Sequence, residues 1–482
     1  MTNDVIYTVE SRPPAGKLIL FALQQFLSII TATITVPILI GLGDHMSAAL
    51  LGCGLGTLVY LLCTKRKSPV VISSSFAYIG ALILAVQGYG YLGICLGGIF
   101  SGSVYVIISI IIHFVGTAWI DKIMPPVVIG PVVACIGLGL APSAITNLIT
   151  ASGFVDATGE HPYNLLALFC GLIGFFVIVI CSIQGRFKTM KMLPFLLGIG
   201  AGYLVALLFS AIGYGTGNTY LKIIDFSPLT NLFQTIELKT FLSYPRVSLI
   251  EGIREITSGT AKLNGVGVLE IFLAFVPVAF VAFAEHIADH KNLGVTIGRD
   301  LVNGEPGLSR TLMGDGLGSI VGTLFGVCPN TTYGESIGCT ALSGCSSWWA
   351  ILLTAVIAIV SSFLSPVSAF LQTIPSCVVG GACLALYGFI AVSGLRMLKD
   401  VDLSLGKDLF TVSVIMVTAL GGLTLQIPYK LGYLDGTDFY GVAKFIAVSN
   451  IAIGLVLGVL TYRLSILLEP KKPKEEIIQE EK

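Results

Sequence analysis

Pro329-Asn-Thr-Thr-Tyr-Gly-Glu-Ser-Ile-Gly338 is the stretch on which the reading of this chain turns. It sits among apolar runs, yet it opens on a proline, continues through hydroxyl-bearing residues and holds an acidic side chain, Glu335. A helix does not run comfortably through it, because proline lacks the N–H a helix interior needs and pushes the residue before it into extended backbone. The apolar stretch that follows is too short for a full crossing helix. Far upstream, Pro69-Val-Val-Ile-Ser-Ser-Ser-Phe-Ala-Tyr-Ile-Gly80 has the same plan: proline, hydroxyl-rich run, short helix-compatible continuation. Two interrupted segments at matching places in an apolar chain are the pointer to a transport site. Non-helical backbone at bilayer depth survives only when it is buried in protein or lines a cavity. Its free N–H and C=O groups can then hold a ligand, and short helices that begin there aim positive ends at it.

Composition agrees. The chain has 482 residues, 55% hydrophobic and 11% charged, against roughly a quarter charged in soluble proteins; its mean hydropathy is +0.91. Its 27 basic and 27 acidic residues are too few to cover the roughly three soluble domains that this length implies. A soluble multidomain enzyme is excluded. Zero net charge without a basic patch speaks against a nucleic-acid partner, and the hydrophobicity speaks against disorder. What remains is an all-α polytopic protein of the lipid bilayer. The eleven cysteines lie almost all in apolar stretches, show no CxxC and read as small buried hydrophobes. No nucleotide-binding loop or metal-ligand spacing occurs, so no cofactor, no metal and no ATP-driven step is expected.

Apolar stretches of membrane length number about fourteen. They include 70–87, 92–115, 266–288, 309–327, 330–345, 409–427 and 441–467. Short basic loops (Lys65-Arg66-Lys67, Arg186 to Lys191, Lys291 to Arg310, Arg396 to Lys407) all fall on the side of the termini, which predicts cytoplasmic N- and C-termini. Fourteen divides into seven and seven, and two odd halves in tandem have opposite orientations, the inverted-repeat plan of transporters.

An ionisable residue at bilayer depth costs on the order of 2.5–3.5 kcal/mol and needs a reason. Glu285 and Asp289 are four apart and share one helix face, with His286 turned about 100° away. Two carboxylates buried on one face cannot both ionise cheaply, so one of them is a candidate to carry a proton. Glu335 lies inside the broken segment, and Asp315 lies in the glycine-rich ninth stretch. For each of these the plainer reading is a structural hydrogen bond between helices. That reading is weakest for Glu285 and Glu335 and strongest for His286, as a packing histidine.

Ala284-Glu285-His286-Ile287 and the run from Pro329 to Gly338 resemble the nucleobase–ascorbate transporter family, most closely its bacterial uracil permeases. The resemblance extends over nearly the whole chain. It includes Arg12-Pro13-Pro14, Leu23-Gln24-Gln25, Ala32-Thr33, Ser74-Ser75-Phe76-Ala77 and Pro306-Gly307-Leu308. It implies fourteen spans in a 7+7 inverted repeat, with short antiparallel strands from spans 3 and 10 meeting at the substrate. It implies a core domain (17–115 and 265–369) and a gate domain (116–213 and 370–467). A cytoplasmic N-terminus (1–16), an extracellular loop (214–264) and a cytoplasmic tail (468–482) complete the plan. The implied activity is proton-coupled uptake of uracil or a related nucleobase across the plasma membrane of a bacterium, by alternating access, in a protein that is not an enzyme and forms homodimers.

By the same resemblance Glu285 and Glu335 bind substrate, with main-chain contacts near Phe76, Tyr333 and Gly334 and with Ser75 and Ala32 beside them. Glu285, Asp289, Glu335 and His286 are the proton-coupling candidates, and Gln25, Asn330, Thr332 and Ser336 support the site. The chemistry fits on its own terms: carboxylates accept from the N–H groups of a flat pyrimidine, strand N–H groups donate to its carbonyls, and aromatic rings stack on it. The chain departs from the family at Gln25 and Asp289, where histidines are usual, and at Ser336, where asparagine is. Competing readings are a purine permease of the same family, an anion exchanger of the same fold, for which an acidic Glu335 is the wrong sign, and a membrane-embedded enzyme, which lacks a nucleophile–base constellation.

Overall fold

In lipid every backbone polar group must be satisfied within the protein, and the apolar runs accordingly close their hydrogen bonds as helices. The computed structural model describes residues 6–117, 119–120, 125–153, 163–184, 186–187, 190, 193–399, 401–433, 440–448 and 450–468, without the side chains at 31, 32, 239, 342 and 426–448. The elements in order are α1 (Ala15–Leu39), α2 (Met46–Cys63), β1 (Ile72–Ser74), α3 (Ile79–Val115), α4 (Pro126–Leu148), α5 (Leu165–Ile183) and α6 (Pro194–Thr216). After two short helices, Ser227–Leu232 and Leu238–Phe241, come α7 (Ser248–Thr257), α8 (Gly265–Ile297), α9 (Leu308–Phe325), β2 (Asn330–Thr332), α10 (Gly334–Ser343), α11 (Trp348–Ser362) and α12 (Ser365–Gln372). The chain continues with α13 (Ser376–Arg396), α14 (Gly406–Leu420), β3 (Leu425–Tyr433), β4 (Tyr440–Val448) and α15 (Asn450–Leu468). Among the described residues nine helical runs are long and apolar enough to cross a membrane. Their outer faces leave Phe176, Ile180, Ile183, Leu204, Leu208 and Leu460 exposed, a surface that suits lipid tails and not water.

The chain divides into two compact units. The first comprises residues 1–117 and 140–389. Within it α9 packs against both α2 and α3, and α8 packs against α3. Glycine makes the α3–α9 approach possible: a Cβ at Gly102 would stand 2.4 Å from the Gly316 carbonyl oxygen, and one at Gly316 would stand 2.7 Å from that of Gly102. The second unit comprises 118–139 and 390–482. Within it α14 packs along α15, and β3 pairs antiparallel with β4.

Three boundaries differ from the hydropathy reading. The stretches 70–87 and 92–115 join in one helical run, α3, broken at Gly90 (φ 65°, ψ −149°), a conformation that glycine adopts without a Cβ clash. The helix that restarts there is capped from α7: the Glu255 carboxylate accepts the N–H groups of Tyr91 (3.0 Å) and Leu92 (3.1 Å), two of the donors a helix start leaves unpaired. The stretch 409–427 stops being helical at Leu420, and 441–467 becomes helical only at Asn450. Between them lies the β3–β4 pair. Its aromatic and β-branched residues raise hydropathy as a membrane helix does, but they favour a strand.

Candidate functional site

The two proline-led runs quoted at the outset form β1 and β2, which pair antiparallel with Ile72 opposite Thr332, Ser73 opposite Thr331 and Ser74 opposite Asn330. All six residues are buried. The pairing extends at both ends: the Ser75 N–H donates to the Pro329 carbonyl (3.0 Å), and the Tyr333 N–H donates to that of Val71 (3.2 Å). Surrounding helices satisfy the outward groups. Thr57 accepts the Ile72 N–H (3.2 Å) and donates to its carbonyl (3.1 Å). The Asn330 amide donates to the Gly52 carbonyl (2.9 Å), and the hydroxyls of Thr33 and Ser73 meet at 2.8 Å. The Tyr333 hydroxyl donates to the Ser74 carbonyl (2.6 Å), so the phenol is used to tie the strands together.

Each strand feeds a helical segment. Ser75 precedes a turn of 3₁₀ helix at Phe76–Tyr78 and then α3, while Tyr333 precedes α10. Because the strands are antiparallel, one helix start lies beside Pro329 and the other beside Val71. Glu335 falls in the first turn of α10, where the helix dipole favours negative charge. It lines a cleft with Ser28, Thr35, Phe195 and Cys383. Gly334 is exposed and Glu335 is half-buried. Phe76 is buried and stands edge-on to Tyr387 at 6.3 Å.

α8 brings Glu285 and Asp289 to the same place. Asp289 accepts the Thr332 hydroxyl (3.0 Å), and Glu285, Asp289 and Glu335 lie within electrostatic reach of one another. Gln25 and Ser336 hold α10: the Gln25 amide donates to the Thr340 hydroxyl (2.9 Å) and the Ser336 carbonyl (3.2 Å), and the Ser336 hydroxyl accepts the Val71 N–H (3.1 Å). Ala32 lies on α1, and its side chain falls outside the described ones.

His286 faces elsewhere. Its Nδ1 is 2.7 Å from Asp315 Oδ2 and its Nε2 is 3.1 Å from the Thr311 hydroxyl. Its ring stacks on that of His290 at 4.0 Å. His290 Nδ1 bonds the His286 carbonyl (2.8 Å), and its Nε2 bonds the Tyr60 hydroxyl (2.7 Å), which in turn meets Ser68 (2.7 Å). This fully buried polar cluster joins α8 to α2 and α9. Sequence reasoning missed His290 and Tyr60. The i,i+4 spacing of His286 and His290 was the available signal, and it ran parallel to the Glu285–Asp289 pair that drew attention first.

Crossing apolar helices, two strand-then-helix interruptions that meet, and carboxylates gathered at that meeting define a multi-pass membrane transporter. Residues 16–427 match the Permease family, and the chain belongs to it. It is 35% identical over 461 residues to the uracil permease of Bacillus caldolyticus, covering 94% of this chain and 95% of that one. It is 35% identical over 421 residues to the uracil permease of Bacillus subtilis (strain 168), covering 87% and 89% respectively. Among solved structures it shares its fold with the murine solute carrier 26 family member A9 anion transporter in the inward-facing state. That likeness has a TM-score of 0.62 at 12% identity, over 95% of this chain and 69% of that one.

Proposed function

We propose that this permease imports uracil together with protons by alternating access. The observation that carries the reading is the convergence of Glu285, Asp289 and Glu335 on the β1–β2 pair; the names of its 35%-identical relatives supply the substrate. Glu285 and Glu335 accept the pyrimidine N–H groups, and the main-chain N–H groups of Phe76 and Gly334, which begin the two helical segments, meet its carbonyls; Ser75 and Tyr333, whose own N–H groups are spent on the strand pairing, and Ala32 on α1 complete the binding set. Three acidic groups this close repel one another when all are ionised. A proton on Glu285, Asp289 or Glu335, or a substrate N–H, relieves that repulsion. This links substrate occupancy to proton occupancy. His286, bonded to Asp315 and Thr311 away from the three carboxylates, enters the coupling group indirectly, by anchoring α8, which carries Glu285 and Asp289. The working cycle moves a core (17–115 and 265–369) against a gate (116–213 and 370–467) in a fourteen-span, 7+7 inverted repeat. Both termini are cytoplasmic, and the protein works as a homodimer in the bacterial plasma membrane. The fold is shared with an anion transporter, but the acidic cleft lining argues for a neutral substrate.

The test is labelled-uracil uptake into proteoliposomes with and without an inward proton gradient, with unlabelled xanthine as competitor. Gradient-driven uptake that xanthine leaves untouched is expected, and Glu335→Gln should reduce it at least tenfold, the loss of about one charge-assisted hydrogen bond. Folded protein that takes up no uracil overturns the substrate assignment. Uptake indifferent to the gradient overturns the coupling alone.

A further inference from the structure

Residues 6–12, which the site itself does not use, make an unusually dense set of contacts with the ends of two helices. Ile6 and Tyr7 both donate their N–H groups to the carbonyl of Gly344 (2.8 and 3.1 Å), the residue that ends α10. The Ser346 N–H donates back to the Tyr7 carbonyl (2.9 Å) and the Trp348 N–H to that of Val9 (3.1 Å). The Ser347 hydroxyl donates to the Ser11 carbonyl (2.6 Å). Val9 is 1% exposed. One residue further on, Glu10 receives two parallel bonds, each 2.7 Å, from the guanidinium of Arg299. Arg299 directly follows Gly298, the residue that ends α8. Arg12 lies 4.8 Å over the ring of Trp349, Trp349 stacks on Trp348 at 4.1 Å, and Arg66 lies 4.8 Å over the ring of Trp348.

We infer that residues 6–12 are a strap that holds the far ends of α8 and α10 in register, with Glu10 and Arg299 as positioning residues for the carboxylates these helices carry. The inference rests on the reading of Glu285 and Glu335 as the substrate-binding pair. Glu335 lies nine residues before Gly344, about 13 Å along a helix, and Glu285 lies fourteen residues before Arg299, about 20 Å. A helix transmits a displacement of one end to the other. A bidentate guanidinium–carboxylate pair fixes both distance and orientation, which a single contact does not. The strap thus reaches both helices within four residues, from Tyr7 to Glu10. Glu335 and Glu285 must both face one small flat ligand, and misplacement by about 1 Å is enough to weaken such a site strongly.

The plainer alternative is passive packing, and the exposure of the pair separates the two. Arg299 is 36% and Glu10 57% exposed, and an exposed ion pair contributes little to stability. Passive packing therefore predicts that its loss changes almost nothing. The strap predicts a transport defect in a protein that remains as stable as before.

The experiment compares full-length wild type, Glu10→Gln, Arg299→Gln and the charge-swapped double Glu10→Arg/Arg299→Glu. It measures uracil KM and maximal rate in proteoliposomes, the melting temperature in detergent, and acrylamide quenching of tryptophan in a Trp119→Phe background, where Trp348 and Trp349 alone report. Each single variant should raise KM about three- to tenfold, up to one decade of affinity, at unchanged melting temperature, and should expose the tryptophans to quencher; the swap should restore both. A KM equal to wild type in both single variants, or a swap no better than either, overturns the inference. If wild type takes up no uracil, the substrate reading has failed and quenching decides: increased in the singles and restored in the swap supports the strap, and unchanged overturns it. A shared fall in melting temperature across all three variants also overturns it, since the contact would then be structural.

Discussion

His290 shows how much one hydrogen bond decides. Its Nδ1 faces the His286 carbonyl, which can only accept, so in the neutral ring Nε2 is the acceptor and the Tyr60 hydroxyl donates to it. Tyr60→Phe leaves that buried nitrogen only the more distant Ser68 hydroxyl (3.4 Å), at a cost of up to about 1–3 kcal/mol. Guanidinium unfolding in detergent should show the loss, and a variant as stable as wild type would mean that the cluster relaxes around it. For Asp315, whose Oδ2 stands 2.7 Å from His286 Nδ1 at zero exposure, the expected order of stability is wild type, then Asp315→Asn, then Asp315→Ala, because the amide keeps a hydrogen-bonding partner for the imidazole and the methyl does not. Reversal of the last two would remove that role. The carboxylates of the site were legible because each is an anomaly in its own segment: Glu285 and Asp289 share a helix face, and Glu335 interrupts an apolar run. Asp315 also stood out as a charge in an apolar run, and its plainer reading, a hydrogen bond between helices, is the one its contact with His286 supports; Tyr60 did not stand out, since what explains it is a partner on another helix.

At the level of elements, the strands were legible for the opposite reason, that proline and hydroxyls mark the break locally. The β3–β4 pair was not, because its residues are as apolar as a spanning helix, and hydropathy cannot separate the two. Helix packing depends on pairs that no single segment reveals. Gly102 meets Gly316 so closely that any side chain strikes the opposing backbone. Gly102→Leu should therefore destabilise by about 1–3 kcal/mol as the helices are pushed apart, measurable as a lower melting temperature. Gly116, with nothing near its Cβ position but a φ of 83°, is the contrasting site, where any cost to an alanine is backbone strain alone.

For the whole molecule, the N-terminal segment from Ile6 onward is part of the folded unit, and its acid sensitivity follows from the Glu10–Arg299 ion pair. Arg299, with a smaller contribution from Lys67, holds the Glu10 carboxyl below the usual carboxylate range. The pair's contribution is therefore fully present above the ordinary glutamate value, about 4.3, and is lost as pH falls through the lowered folded-state value. Tryptophan quenching should accordingly stay flat from about pH 8 to pH 5 and rise only in stronger acid. A rise near neutrality would place the controlling group elsewhere.

The pairing of β1 with β2 also sets an order of assembly. The ribosome adds about 5–20 residues per second, and roughly 250 residues separate the two strands, so β1 is made ten seconds to a minute before its partner exists. Through that interval its backbone lies among apolar spans, where unpaired polar groups are costly. Thr57, fifteen positions earlier in the chain, is already present to engage both polar groups of Ile72. On this order of assembly Thr57→Val should lower the yield of inserted protein more than it harms the finished transporter, and equal yields from matched expression would mean that β1 does not need the hydroxyl while its partner is being made.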